Sequence, residues 1–148
     1  MKIHLTKNEY KALLDMLYIT HMVLHGFHVE QREETLKYWD LEQKLYSFTK
    51  DFDAEDLVSY DKKYEEYMLT RKFDDETPAT KFLNEYDNEV FWDELIENLA
   101  KRDLIDKHGP EIMQRILKDE AVFNELRSYK IKYSEEFEKN GIKNLRLS

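Results

Sequence analysis

The sequence predicts an all-α fold, a single-domain bundle of about five helices, and three observations carry that prediction. Glycine (3) and proline (2) are scarce, whereas an all-β domain needs turn residues roughly every 8 to 12 positions. Apolar residues recur at helical spacing through most of the chain. Aromatics make up 14%, with 10 Tyr, 8 Phe and 2 Trp, which argues against disorder although 37% of residues are charged. At 148 residues the chain is the size of one domain and can bury a substantial core.

The first helix is predicted over Lys7–His25. Thr6 and Glu9 form a capping-box pattern at its start, and Gly26 stops it. Tyr10, Leu13, Leu14, Leu17, His21 and Leu24 share one stripe. Met16, Ile19 and Val23 cover the other side, the pattern of a buried, central helix. A second helix runs from Glu30 to Phe48 with Tyr38, Leu41, Leu45 and Phe48 as its stripe. A third, capped by Asp51 or Asp53, continues through Leu57, Tyr60, Tyr64, Tyr67 and Met68.

Thr77 as N-cap and Pro78 behind it open a fourth helix that reaches Lys107. Its buried sector is Phe82, Tyr86, Trp92, Leu95, Ile96 and Leu99. Gly109 and Pro110 divide it from a last helix ending at Gly141. There Ile112, Ile116, Asp119, Phe123, Leu126, Lys130, Tyr133 and Phe137 make a heptad seam interrupted by Asp119 and Lys130. The segments "KIHL" and "IKNLRL" suggest a minor two-stranded pairing of the N- and C-terminal segments.

The absence of cysteine removes disulfide scaffolds, Cys-ligated zinc and thiol catalysis. No signal-peptide pattern opens the chain, and no run approaches about 18 uninterrupted apolar residues. The expectation is therefore a cytoplasmic protein away from membranes. The net charge is -9, and residues 74–97 contribute -8 of it, from nine acids and Lys81 alone. Such a balance disfavours nucleic acid held through its phosphates, which needs clustered Lys and Arg. Phosphate-cradling glycine loops and the G-x-S-x-G elbow are absent, and the three glycines stand far apart.

One stretch, "ITHMVLHGFH" at 19–28, holds three of the five histidines. His21 and His25 are four apart and project from the same helical face, a spacing that offers two imidazoles to one ion. A helical hairpin would fold Glu30 and Glu34 back toward them, giving a donor set for Zn, Fe or Mn. Glu85, Glu89 and Asp93 are further oxygen donors on the fourth helix, and Glu34, Glu89 and Asp93 are also acid–base candidates if buried. Against the metal stands the absence of H-E-x-x-H and E-x-x-H. The favoured alternative is a core His21 hydrogen-bonded to a second-helix carboxylate, with Glu34 as the expected partner, and no cofactor.

Tyr60, Tyr64 and Tyr67 with Trp39 form a candidate interaction surface, since Tyr and Trp are favoured at interfaces. The seam of the last helix suits an intramolecular bundle or a dimer. The leading expectation is thus a non-enzymatic interaction protein that self-associates or takes a protein partner. A metal-binding protein or metalloenzyme built on His21, His25, Glu30 and Glu34 is the alternative.

Overall fold

The computed structural model describes residues 4–28 and 30–146. Among them the fold is all-α with one small antiparallel sheet. Its elements are α1 (Lys7–His25), α2 (Leu36–Tyr46), β1 (Val58–Asp61), β2 (Glu66–Leu69), α3 (Arg71–Glu76), α4 (Ala79–His108) and α5 (Glu120–Asn140). The chain forms two compact units, one ending at Glu85 and the other beginning at Tyr86.

In the first unit, α1 begins and ends where the sequence places it. The Glu9 N–H donates to Thr6 Oγ1 (3.3 Å) and the Thr6 N–H to the Glu9 carboxylate (2.7 Å), so two otherwise orphaned donors are satisfied. Gly26 closes the helix in a right-handed conformation, its N–H bonded to the Met22 carbonyl. A Cβ at Gly26 would lie 2.6 Å from that oxygen, so the turn closes only without a side chain.

Tyr10 and Leu14 are buried with Tyr46, Ala54, Leu57, Val58 and Phe73. Tyr10 stacks on Phe52 at 4.2 Å between centroids and donates its hydroxyl to the Leu45 carbonyl (2.8 Å). Burial and the Asp51 charge push the Tyr10 hydroxyl up to about 12. The expectation of a helix buried all round is corrected: Met16 and Val23 are 64% and 63% exposed. Only the face bearing Tyr10, Leu14 and Leu17 meets the core.

The second helix is shorter than expected. A 3-10 turn over Glu33–Thr35 leads into α2, and another, Thr49–Phe52, follows it. Its buried face is also not the apolar stripe. Tyr38, Leu41 and Phe48 are exposed, whereas Thr35, Glu42 and Tyr46 are buried. Residues 35, 39, 42 and 46 follow the 4-3-4 spacing of a single helical face, and α2 turns that face inward.

The expected third helix is a hairpin instead. Val58 pairs with Leu69, Ser59 with Met68, Tyr60 with Tyr67 and Asp61 with Glu66. The turn is set by the Asp61 carboxylate, which accepts the N–H of Lys63 (2.7 Å) and of Tyr64 (3.3 Å). Glu65 takes a positive φ of 57° to bring the chain back. Two-stranded pairing therefore occurs mid-chain. Residues 1–3 and 147–148, on which part of the suggested terminal pairing falls, lie outside the described residues; Gly141–Asn144 is a 3-10 turn, not a strand.

Thr70 caps α3 through the Phe73 N–H (3.4 Å). Thr77 accepts the Ala79 N–H at the start of α4 (3.1 Å), as its sequence context predicts, and donates to Asp15 of α1 (2.5 Å).

The second unit pairs the C-terminal part of α4 with α5 around Ala100, Leu104, Ile112, Val122 and Leu126. The expected continuous last helix is broken at the seam's own irregularity. Asp119 accepts the N–H groups of Ala121 (3.1 Å) and Val122 (3.4 Å), so it caps α5, and Pro110–Gln114 is a separate 3-10 turn. The seam holds in part: Leu126 and Phe137 are buried, and Phe137 lies 5.5 Å from Trp92 and 5.9 Å from Tyr133, whereas Phe123 is exposed. Of the predicted α4 sector, Phe82 and Tyr86 are exposed, while Trp92, Leu95, Ile96 and Leu99 are partly buried. No helix among the described residues is long and apolar enough to cross a membrane.

Candidate functional site

Three elements of the first unit surround a pocket of about 540 Å³. That volume falls within the range of small-molecule sites, about 300–1,000 Å³. Helix α1 contributes His21 and His25 one turn apart, their rings 5.2 Å centroid to centroid. The turn past Gly26 adds His28, so all three histidines of the crowded stretch line one cavity. Helix α2 contributes Trp39, Glu42 and Tyr46 from its inward face, and β2 contributes Tyr67, Met68 and Leu69. The Trp39 ring closes the aromatic group, 5.8 Å from His21 and 6.0 Å from His25.

His21 does not meet Glu34. Its Nδ1 lies 3.2 Å and 3.3 Å from the two oxygens of Glu42, a residue only 6% exposed. The expected hydrogen bond to a second-helix carboxylate is present with a different residue, and His21 is half-buried rather than in the core. Glu34 sits on the 3-10 turn before α2, its side chain 70% exposed and 3.5 Å from Arg32.

Protonation follows these surroundings. The hydrogen bond to Glu42 raises the His21 pKa against the opposing effect of burial, and the Glu42 charge adds to the rise. Burial lowers the pKa of His25, and the charges of His21 and Arg32 lower it further. Neighbouring imidazoles on one helix are thus shifted in opposite directions.

Two polar atoms at the pocket lack partners among the described residues. The Tyr46 hydroxyl is buried and makes no hydrogen bond of normal geometry, although Tyr46 is 2% exposed overall. Burial, then the nearby Glu42 charge, pushes its pKa far above the ordinary tyrosine value. His25 Nε2 is likewise buried and unpaired. Buried polar atoms are nearly always satisfied, so two on residues that line one cavity require a reason.

The hairpin is locked onto the pocket by α2. Gln43 donates its amide to the Tyr67 carbonyl (3.0 Å) and accepts the Tyr67 N–H (2.7 Å), standing in for a further strand. The register of the pocket wall formed by β2 is therefore fixed by a side chain adjacent in sequence to Glu42.

Of the proposed metal donors, His21, His25 and Glu30 reach the same pocket, and Glu34 is not part of its lining. Among the described residues no group of three or more His, Asp or Glu side chains is placed to hold a metal ion. Glu85, Glu89 and Asp93 are exposed on α4, and Glu85 pairs with Lys81 at 3.6 Å.

The candidate tyrosine surface is not a helical face. Tyr60 and Tyr67 stand opposite each other across the hairpin at 4.9 Å, Tyr64 lies in the turn, and Trp39 belongs to the pocket. Sequence reasoning missed Glu42, Gln43 and Tyr46, because polar positions between apolar stripe residues read as solvent-facing. The available signal was the 35-39-42-46 spacing with two large aromatics on it. Compared with known proteins, the chain matches no family model, no curated protein and no solved structure.

Proposed function

We propose that the protein binds a small organic molecule in the pocket between α1, α2 and β2. The observation that carries this reading is the pair of unsatisfied buried atoms, Tyr46 Oη and His25 Nε2, on two residues that line one cavity. Leaving a buried polar group unpaired costs about 1–3 kcal/mol, a penalty that a ligand bearing the complementary donor or acceptor removes on binding. Apolar and aromatic walls with a few convergent polar groups are the usual composition of such sites. His21, oriented by Glu42, supplies a polar group of fixed direction beside them.

A fragment screen read by amide, indole and imidazole NMR shifts tests the proposal. Bound fragments are expected to move the Trp39 indole and the His21 and His25 ring signals together. Shifts scattered over the surface, with these three unmoved, would overturn it. The wider reading, a self-associating or partner-binding protein, keeps a separate support in the exposed Tyr38 and Leu41 of α2 and Phe48 just beyond it. Sedimentation is expected to show a dimer or larger species if that face is covered, and a strict monomer counts against it.

A further inference from the structure

We infer that the ligand is an organic cation, an amine carried on an apolar body of one or two rings. This rests on the reading of the pocket as a ligand site and deepens it.

The charges lining the cavity set the sign. Glu30, Glu42 and Glu66 line it, and no Lys or Arg does. The bases are the three histidines. His25 is held toward its neutral form by burial and by neighbouring positive charge. Three carboxylates face three histidines, so the lining carries no net positive charge even with every imidazole charged (-3 + 3 = 0), and is negative with any of them neutral. Arg32 does not line the cavity: it donates to the Leu24 carbonyl (3.0 Å) and lies 3.5 Å from Glu34, with its buried Nε unpaired among the described residues. An anionic ligand would have to approach the Glu42 carboxylate with no lysine or arginine in the lining to meet it.

The walls set the rest of the chemistry. Tyr18, Trp39 and Tyr67 line the cavity, and aromatic faces attract a cation through their negative quadrupole. Met22, Met68 and Leu69 offer an apolar seat for a hydrocarbon body. The unpartnered Tyr46 hydroxyl, more than nine-tenths buried, completes the site. An ammonium N–H donated to the Tyr46 oxygen gives that atom a partner, and the Glu42 carboxylate attracts the ammonium charge. Neutral His25 accepts a second ammonium N–H at Nε2 when its proton is on Nδ1. Each unsatisfied atom thus gains a partner from one charged head.

Three probes of matched shape and different charge test the inference: tryptamine, tryptophol and indoleacetate, titrated calorimetrically into the full chain at neutral pH, with NMR shifts to locate them. Tryptamine is expected to bind at the Trp39 and His25 signals at least about tenfold more tightly than tryptophol, with indoleacetate weakest. Glu66→Gln and Glu30→Gln, both toward the solvent side, should weaken tryptamine and leave tryptophol unchanged. If tryptophol or indoleacetate binds the pocket as tightly as tryptamine, the cation assignment is overturned and the ligand pocket stands. If the two variants leave tryptamine affinity unchanged, the cation assignment is overturned as well. If none of the three shifts the pocket signals, both readings fall.

Discussion

His21 and His25 stand one turn apart on α1, yet their surroundings drive their protonation in opposite directions. The folded-state pKa of His21 lies above 6.5, so its contribution to stability is complete below 6.5 and is lost as pH rises through the raised value. For His25 the folded value lies below 6.5, so its contribution is present above 6.5 and is lost as pH falls through the lowered value. The two effects act in adjoining windows, so stability rises with pH up to about 6.5 through His25 and falls above it through His21. Ring-proton NMR titration should show His25 losing its proton first on the way up in pH and His21 later. In Glu42→Gln the His21 midpoint should fall, and a midpoint that stays put would mean that Glu42 is not its partner. The crowded histidine stretch was legible as a site; its carboxylate was not. Glu34 lay where a helix starting at Glu30 would place it, but the chain spends residues 33–35 on a 3-10 turn, and α2 then turns Glu42 inward.

At the scale of elements, residues 58–69 show how helical spacing misleads. Tyr60, Tyr64 and Tyr67 are separated by four and three residues, as on a helix face, but "VSYD" also alternates apolar and polar residues as a half-buried strand does. The tie between the two readings is broken by contacts distant in sequence: Gln43 bonds both backbone groups of Tyr67, and the Leu57 carbonyl accepts the Thr70 N–H (2.9 Å). A helix over these residues would forfeit both. Gln43→Ala should therefore cost about 1–3 kcal/mol, since two partly buried backbone groups lose their partners. Hydrogen exchange at the Tyr67 amide should quicken in the same variant, and unchanged exchange would show that β2 is held by other means. Helix α1, by contrast, was readable to the residue because its capping box and terminal glycine are local signals. The break before α5 was present in the sequence as Asp119, a cap residue placed where the seam falters.

For the whole molecule, the class of fold followed from composition and periodicity, which are summed over many residues and survive local errors. The face each helix buries depends on its neighbours, and there the apolar stripe of α2 failed as a guide. That failure and the pocket have one cause: α2 turns Trp39, Glu42 and Tyr46 inward and leaves Tyr38, Leu41 and Phe48 to solvent. A protein selected for stability alone would put the apolar stripe inside, whereas departures from local consistency are expected at functional sites. The most direct measurement is the denaturant stability of Tyr46→Phe in the absence of ligand. Removing a buried hydroxyl that has no partner should leave the protein as stable or more stable, by up to about 1 kcal/mol. A loss of about 1 kcal/mol or more would show that the hydroxyl is already satisfied in the folded chain, and the pocket would lose the feature that marks it as a binding site.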